Sequence, residues 1–306
     1  MSQIACEANK GLFQRAVVMS GMIKNPYEQG GIGTPEPLSQ AEENGKSFFD
    51  FLGVSTLEEA RELDAFHILQ KYDEYARTHR RMFTVEDGVF CKGEPLKLLA
   101  AGKCVDVPIM AGNTSDEFPN FLRATKESLP EKAEKCFGER AMEFLAFPEV
   151  QKETIPGHFA KVSGIECTVK GLFLKKKKDG SKHNYYYYCF DGEIPGPDHP
   201  GTFHSVDLWF FFETLAKCWR PFVGRHYDLS RQMCNYWANF IKTGDPNGED
   251  ADGSRMPEWK PYSDETPCSM IFGKQGADAV TGEESPFKKF LMERMAERLD
   301  GQGNLE

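Results

Sequence analysis

A chain of 306 residues, 40% hydrophobic and 27% charged, can bury a substantial core and is not composed like a disordered polypeptide. Its formal net charge of −10 argues against a surface built to neutralise phosphate backbones, so nucleic acid is not an expected partner. No apolar run reaches the ~20 residues that span a bilayer, and the opening MSQIACEANKG has neither the basic nor the apolar part of a signal peptide, so the expectation is a cytoplasmic protein without a membrane partner. Nine cysteines stand at 6, 91, 104, 136, 167, 189, 218, 234 and 268 without a CxxC pair, which predicts free thiols rather than a zinc ribbon or a disulfide framework.

In chain order, KGLFQRAVVMS predicts a helix end running into a short strand, Ala16 to Ser20, closed by Gly21. Flat hydrophobicity suits a strand covered on both faces. Met22 to Gln40, rich in Pro and Gly, predicts a long surface loop, and its GGIG carries no phosphate-binding expectation because no helix start follows directly. SFFDFLGV predicts a helix, and Thr56-Leu-Glu-Glu59 a capping box opening one long helix, LEEARELDAFHILQKYDEYA. A second flat strand is predicted at Val107 to Gly112, followed by a mostly helical stretch from Glu127 to Lys178.

Within that stretch Ile165, Val169, Leu172 and Phe173 share one helical face, Lys175 to Lys178 predict a solvated terminus, and Gly180 a C-terminal cap. The aromatic run Asn184 to Phe190 predicts a strand, and a Gly- and Pro-bearing loop then leads to His204. Ser230 predicts a helix start, with Met233, Trp237, Phe240 and Ile241 on one face and Gly244-Asp-Pro246 as its stop. Ser269 to Phe272 predict a last strand and Ser285 to Leu299 a last amphipathic helix. Strands alternating with helices place the chain in the α/β class with a largely parallel sheet.

Two places can carry chemistry. Gly112-Asn-Thr-Ser-Asp116-Glu117 delivers adjacent carboxylates just beyond a strand, where open α/β sheets place working groups, although the same pattern also caps helices and solvates turns. His204 follows the glycine- and proline-bearing loop and precedes the aromatic run Trp209 to Phe212, which either lines a wall near the histidine or packs in the core. An acid followed later by a histidine is the second half of the hydrolase chain order Ser, Asp/Glu, His.

GLFQRAVVMSG, DGVF with VPIMAGNTSDEF, GTFHSVDLWFFFETL, YDLSRQMCNYWANFIKTGDPN and MPEWKPYSDETPCSMIF together resemble consecutive landmarks of type-B carboxylesterases, the family that includes cholinesterases and bacterial para-nitrobenzyl esterases. The resemblance covers nearly the whole chain and implies an α/β-hydrolase fold, here the C-terminal portion of its central, mostly parallel sheet with flanking helices. It implies carboxylic ester hydrolysis by a Ser-His-Glu triad without cofactor or metal. Glu117 takes the place of the triad acid and His204 that of the general base, while Phe118 stands where the family has glycine.

The nucleophile is another matter. No GxSxG occurs anywhere in the chain, and Ser2, Ser20 and Ser115 lack the flanking glycines of a nucleophile elbow. The glycine-rich oxyanion loop has no counterpart either. Residues 1–306 are therefore expected to form one partial domain lacking its N-terminal half, inactive alone, with an upstream polypeptide as partner and a small-molecule ester as substrate of the complete enzyme. Two other readings stay open: a non-catalytic interaction module on the same fold, and a metal hydrolase using His199 and His204 with Asp198 and Asp207.

Overall fold

A computed structural model describes residues 1–28, 34–79 and 81–300; the GGIG segment lies outside the described residues. Five strands form the central sheet in the order Ala16–Met19, Ile109–Thr114, Tyr185–Asp191, Cys268–Gly273, Gly276–Thr281. The first four are parallel and the last returns antiparallel. Every residue of Ile109–Thr114 is buried, as its unalternating apolar sequence requires of a strand covered on both faces.

The tyrosine run shows how the two layers are assigned. With the strand period of two, Tyr185 and Tyr187 enter one core and Tyr186 and Tyr188 the other. The first core packs beneath the helices Gly164–Lys178 and Pro286–Leu299, through Ile165, Val169, Leu172, Phe173, Phe290 and Leu291. The second packs beneath Gly224–Thr243, through Met233, Trp237 and Phe240 against Met110, Met270 and Phe272. Gly112 is paired with Tyr188, and a Cβ there would stand 2.2 Å from the Tyr188 carbonyl oxygen and 2.4 Å from its ring, so only glycine fits at that point of the ladder.

Several elements depart from their sequence reading. The opening helix is short, Ser2–Ala5 with a 3-10 turn Glu7–Asn9, and ends before Lys10. Met22 and Tyr27 of the supposed surface loop are buried, the Tyr27 hydroxyl donating to the Ala160 carbonyl at 2.6 Å, and the helix Leu38–Leu52 begins inside the stretch read as loop. The long helix after Thr56 is two, Leu57–Arg61 and Ala65–Tyr75, because Asp64 supplies a second N-cap by accepting from the His67 amide at 3.0 Å. The Thr56 hydroxyl does accept from the Glu59 amide, but the Glu59 carboxylate reaches back to the Ser55 amide instead of completing the box on Thr56.

The stretch from Glu127 to Lys178 is mostly helical, as expected, but is interrupted by two strands: Glu153–Ile155 and His158–Ser163 pair antiparallel, and the latter also pairs with Pro119–Arg123. Pro156-Gly157, with Gly157 at φ +77°, turns the chain between them. Lys176 is buried beside the Tyr185 ring and Lys175 pairs with Asp179 and Asp300 at 2.6 and 2.8 Å, so the lysine run is more than a solvated end. Helix Gly224–Thr243 starts six residues before Ser230, its first turn closed by the Val223 amide donating to His226 Nδ1 at 2.9 Å, and Ile241 faces solvent. Cys268–Gly273 is followed by one more strand, Gly276–Thr281, whose alanines at 277 and 279 pack on the second core. All nine cysteines are free thiols, and among the described residues no helix is long and apolar enough to cross a membrane.

Candidate functional site

Glu117 sits on the loop leaving the strand Ile109–Thr114, and its side chain is completely buried. A carboxylate out of water requires donors, and three are present. Oε1 accepts from the Ser20 hydroxyl at 2.6 Å and from the Thr114 amide at 2.9 Å, and Oε2 meets His204 Nδ1 at 2.5 Å. With the carboxylate acting as acceptor throughout, this contact places the imidazole proton on Nδ1 and leaves the lone pair on Nε2. His204 remains 48% exposed while the Glu117 side chain it meets is fully buried.

The residues around the pair occupy unusual backbone. Ser20, Phe118 and Ser205 have φ of +54°, +39° and +71°, in the left-handed region that side chains avoid. At Phe118, where the resemblance leads one to expect glycine, the aromatic ring lies 4.7 Å from the imidazole, tilted by 53°. Phe118 thus supplies a contact to His204 that glycine could not.

Three residues beyond His204, Asp207 is 1% exposed and accepts from the Tyr188 hydroxyl at 3.2 Å. Burial, opposed by that hydrogen bond and reinforced by the negative charge of Glu117, pushes its carboxyl up to about 6. Asp198 is engaged elsewhere, in a two-pronged pair with Arg220 at 2.8 and 2.9 Å. Among the described residues no group of three His, Cys, Asp or Glu is gathered that could hold a metal ion, so the set His199, His204, Asp198 and Asp207 does not converge. Three of the four aromatics pack inward, Phe210 between Phe190 and Phe222, Phe211 against Trp237 and Trp209 against Phe203 next to the histidine, while Phe212 is exposed.

Sequence reasoning selected Glu117 and His204, which the fold brings into contact, and passed over Ser20. The signal for Ser20 was positional: it is the residue after a parallel strand whose Met19 is in register with Gly112, so its side chain emerges beside the loop carrying the acid.

A mostly parallel sheet with helices on both faces, and a carboxylate and an imidazole meeting on loops beyond its strand ends, defines an α/β-hydrolase fold. The solved structure of a PNB esterase superposes with a TM-score of 0.62 at 21% identity, covering 95% of this chain and 59% of that one. A carboxylesterase family model matches residues 163–287. The para-nitrobenzyl esterase of Bacillus subtilis is 24% identical over 305 residues, covering 92% of this chain and 57% of its own length. The Homo sapiens cocaine esterase is 26% identical over 207 residues, covering 59% of this chain and 36% of its own. The family match thus lies within residues 163–287, and the chain spans 36–57% of the length of these two relatives.

Proposed function

We propose that these 306 residues carry the acid and base of a carboxylic ester hydrolase, with Glu117 as triad acid and His204 as general base, in one partial α/β-hydrolase domain. The observation that supports this most directly is the bond between His204 Nδ1 and the buried Glu117 carboxylate, 2.5 Å, with that carboxylate held on its other oxygen by Ser20 and Thr114. Orientation from the Nδ1 side leaves Nε2 free to take a proton from an attacking hydroxyl, and Glu117 stabilises the imidazolium that results. The same nitrogen then returns the proton to the departing alcohol, and in the second half-reaction activates the water that releases the acid.

The serine and the oxyanion donors come, on this reading, from sequence outside these residues, since the chain contains no GxSxG. The strand Ala16–Met19 stands at the edge of the sheet, and among the described residues its outer side has no strand partner, which agrees with a missing neighbour. The test is hydrolysis of a short-chain para-nitrophenyl ester by this chain alone, and again co-expressed with a polypeptide carrying the family's nucleophile elbow and oxyanion loop. Expected are negligible turnover alone, turnover in the combined sample, and a loss of roughly 10³-fold or more on His204→Ala. Turnover by the lone chain that survives His204→Ala would refute the proposal.

A further inference from the structure

Glu117 and His204 lie on separate loops, and a bond of the length seen between them requires those loops to hold a fixed separation. Glu117 is tied to its own strand by the Thr114 amide. His204 ends a glycine- and proline-rich segment with few internal ties, so something must fix it relative to the acid. The residue before Glu117 and the residue two before His204 do this. The Thr202 amide donates to Asp116 Oδ2 at 3.0 Å, the Thr202 hydroxyl donates to the same oxygen at 3.2 Å, and the Asp116 amide donates back to the Thr202 carbonyl at 3.3 Å. The Ser115 hydroxyl, which donates to Asp191 at 2.6 Å, also touches the Thr202 hydroxyl.

Space for this contact is cut by Gly201. It has φ +65°, and a Cβ there would fall 2.6 Å from Asp116 Oδ2. Thr202 itself is 5% exposed, so its donors are withdrawn from water and depend on the carboxylate they meet. The three Asp116–Thr202 bonds join segments 86 positions apart.

We propose that Asp116 and Thr202 are positioning residues: a hydrogen-bonded clasp that fixes the base-bearing loop to the acid-bearing loop and holds the His204 imidazole in its Nδ1–H form against Glu117. The inference rests on the acid and base roles given above. Its consequence for turnover follows from geometry, because a misplacement of ~1 Å at such a pair is enough to cost ~10²-fold in rate.

The test uses the full chain labelled with 15N-histidine, with the His204 ring resonances assigned by their absence in His204→Gln. The ring nitrogen shifts at a pH where the imidazole is neutral report which nitrogen carries the proton, and the other six histidines report that the fold is intact. The wild-type chain is expected to show His204 locked as Nδ1–H. Asp116→Ala is expected to raise the Nε2–H form roughly five- to tenfold, the effect of losing about one hydrogen bond's worth of preference. Asp116→Asn, which keeps a carbonyl acceptor, is expected to restore the wild-type shifts.

Wild-type shifts in Asp116→Ala, or an Asn variant as disturbed as the Ala variant, would overturn the clasp. Should Asp116→Ala not fold, Thr202→Val removes only the hydroxyl branch, and unchanged His204 shifts there would overturn it equally. Glu117→Gln separates the two readings. A wild-type His204 already mixed between forms and unmoved by Glu117→Gln overturns the acid–base pair and the clasp with it, whereas a His204 that responds to Glu117→Gln but not to Asp116→Ala overturns the clasp alone.

Discussion

Replacing Asp207 with asparagine tests how the interior beneath His204 handles charge. The carboxyl is 1% exposed, and burial moves its midpoint from the ordinary 3.8 to about 6. The folded chain therefore holds this proton in a window where the unfolded chain has released it. Stability must fall as pH rises from about 4 to about 6, and the full cost of the ionised form is present above about 6. At ~1.4 kcal/mol per tenfold change in proton affinity, the shift corresponds to roughly 3 kcal/mol.

Asparagine keeps an acceptor for the Tyr188 hydroxyl but cannot ionise. It also brings an amide group that needs partners, at a cost of ~1–3 kcal/mol where they are lacking. That second term does not depend on pH, so the diagnostic quantity is the pH dependence of the difference between the two proteins. Urea unfolding of wild type and Asp207→Asn at about pH 4 and about pH 7.5 should show the variant gaining on wild type by up to ~3 kcal/mol, the titrating groups not coupled to Asp207 cancelling in the comparison. Parallel stability profiles across that window would refute the reasoning, because they would mean that Asp207 ionises in the folded chain as easily as in water.

Ser20→Ala removes the hydroxyl bonded to Glu117 Oε1 at 2.6 Å, and because the acceptor is a buried carboxylate the expected loss is ~1.5–3 kcal/mol in urea unfolding; an unchanged midpoint would show that the Thr114 amide and His204 hold the acid unaided. Gly112→Ala drives a methyl group to 2.2 Å from the Tyr188 carbonyl in the middle of the sheet, and a loss of more than ~3 kcal/mol or outright insolubility is expected. Gly45→Ala, in the helix Leu38–Leu52 with nothing within 4 Å of the added Cβ, is the matched control and should instead gain ~0.5–1 kcal/mol.

How far the sequence was legible follows from which interactions are local. Ile109–Thr114 could be read because burial on both faces leaves an unalternating apolar run, Ala16–Met19 because its run is equally flat although only Val18 is fully buried, and Tyr185–Asp191 because its residues are aromatic. The last strand, GADAVT, buries only two alanines against its core, and so carries almost no hydrophobic signal. Asp64 was hidden because a strong apolar periodicity on either side of it masks a second cap within what reads as one helix. Glu117 and His204 were legible through motifs that surround them in sequence. The bonds made by Ser20 and Asp116 were not, since their partners lie 97 and 86 positions away and depend on parallel register and on the space opened by Gly201.

The backbone around Glu117 and His204 gives a reason why this pair must sit on so large a core. Six non-glycine residues among those described have positive φ, and three of them, Ser20, Phe118 and Ser205, neighbour Glu117 or His204. Each such residue costs on the order of 1–3 kcal/mol against an ordinary conformation and persists only where its surroundings leave no alternative. Here the surroundings do so from three sides: Ser20 is held by its bond to Glu117, Phe118 by its ring against the imidazole, and the histidine loop by Thr202 on Asp116. Relaxing any one of these residues toward a common conformation would withdraw a group from the carboxylate or the imidazole, so the strain and the Glu117–His204 contact are two consequences of the same fixed loops. The two apolar layers, one on each face of the sheet, supply the rigidity that lets both persist.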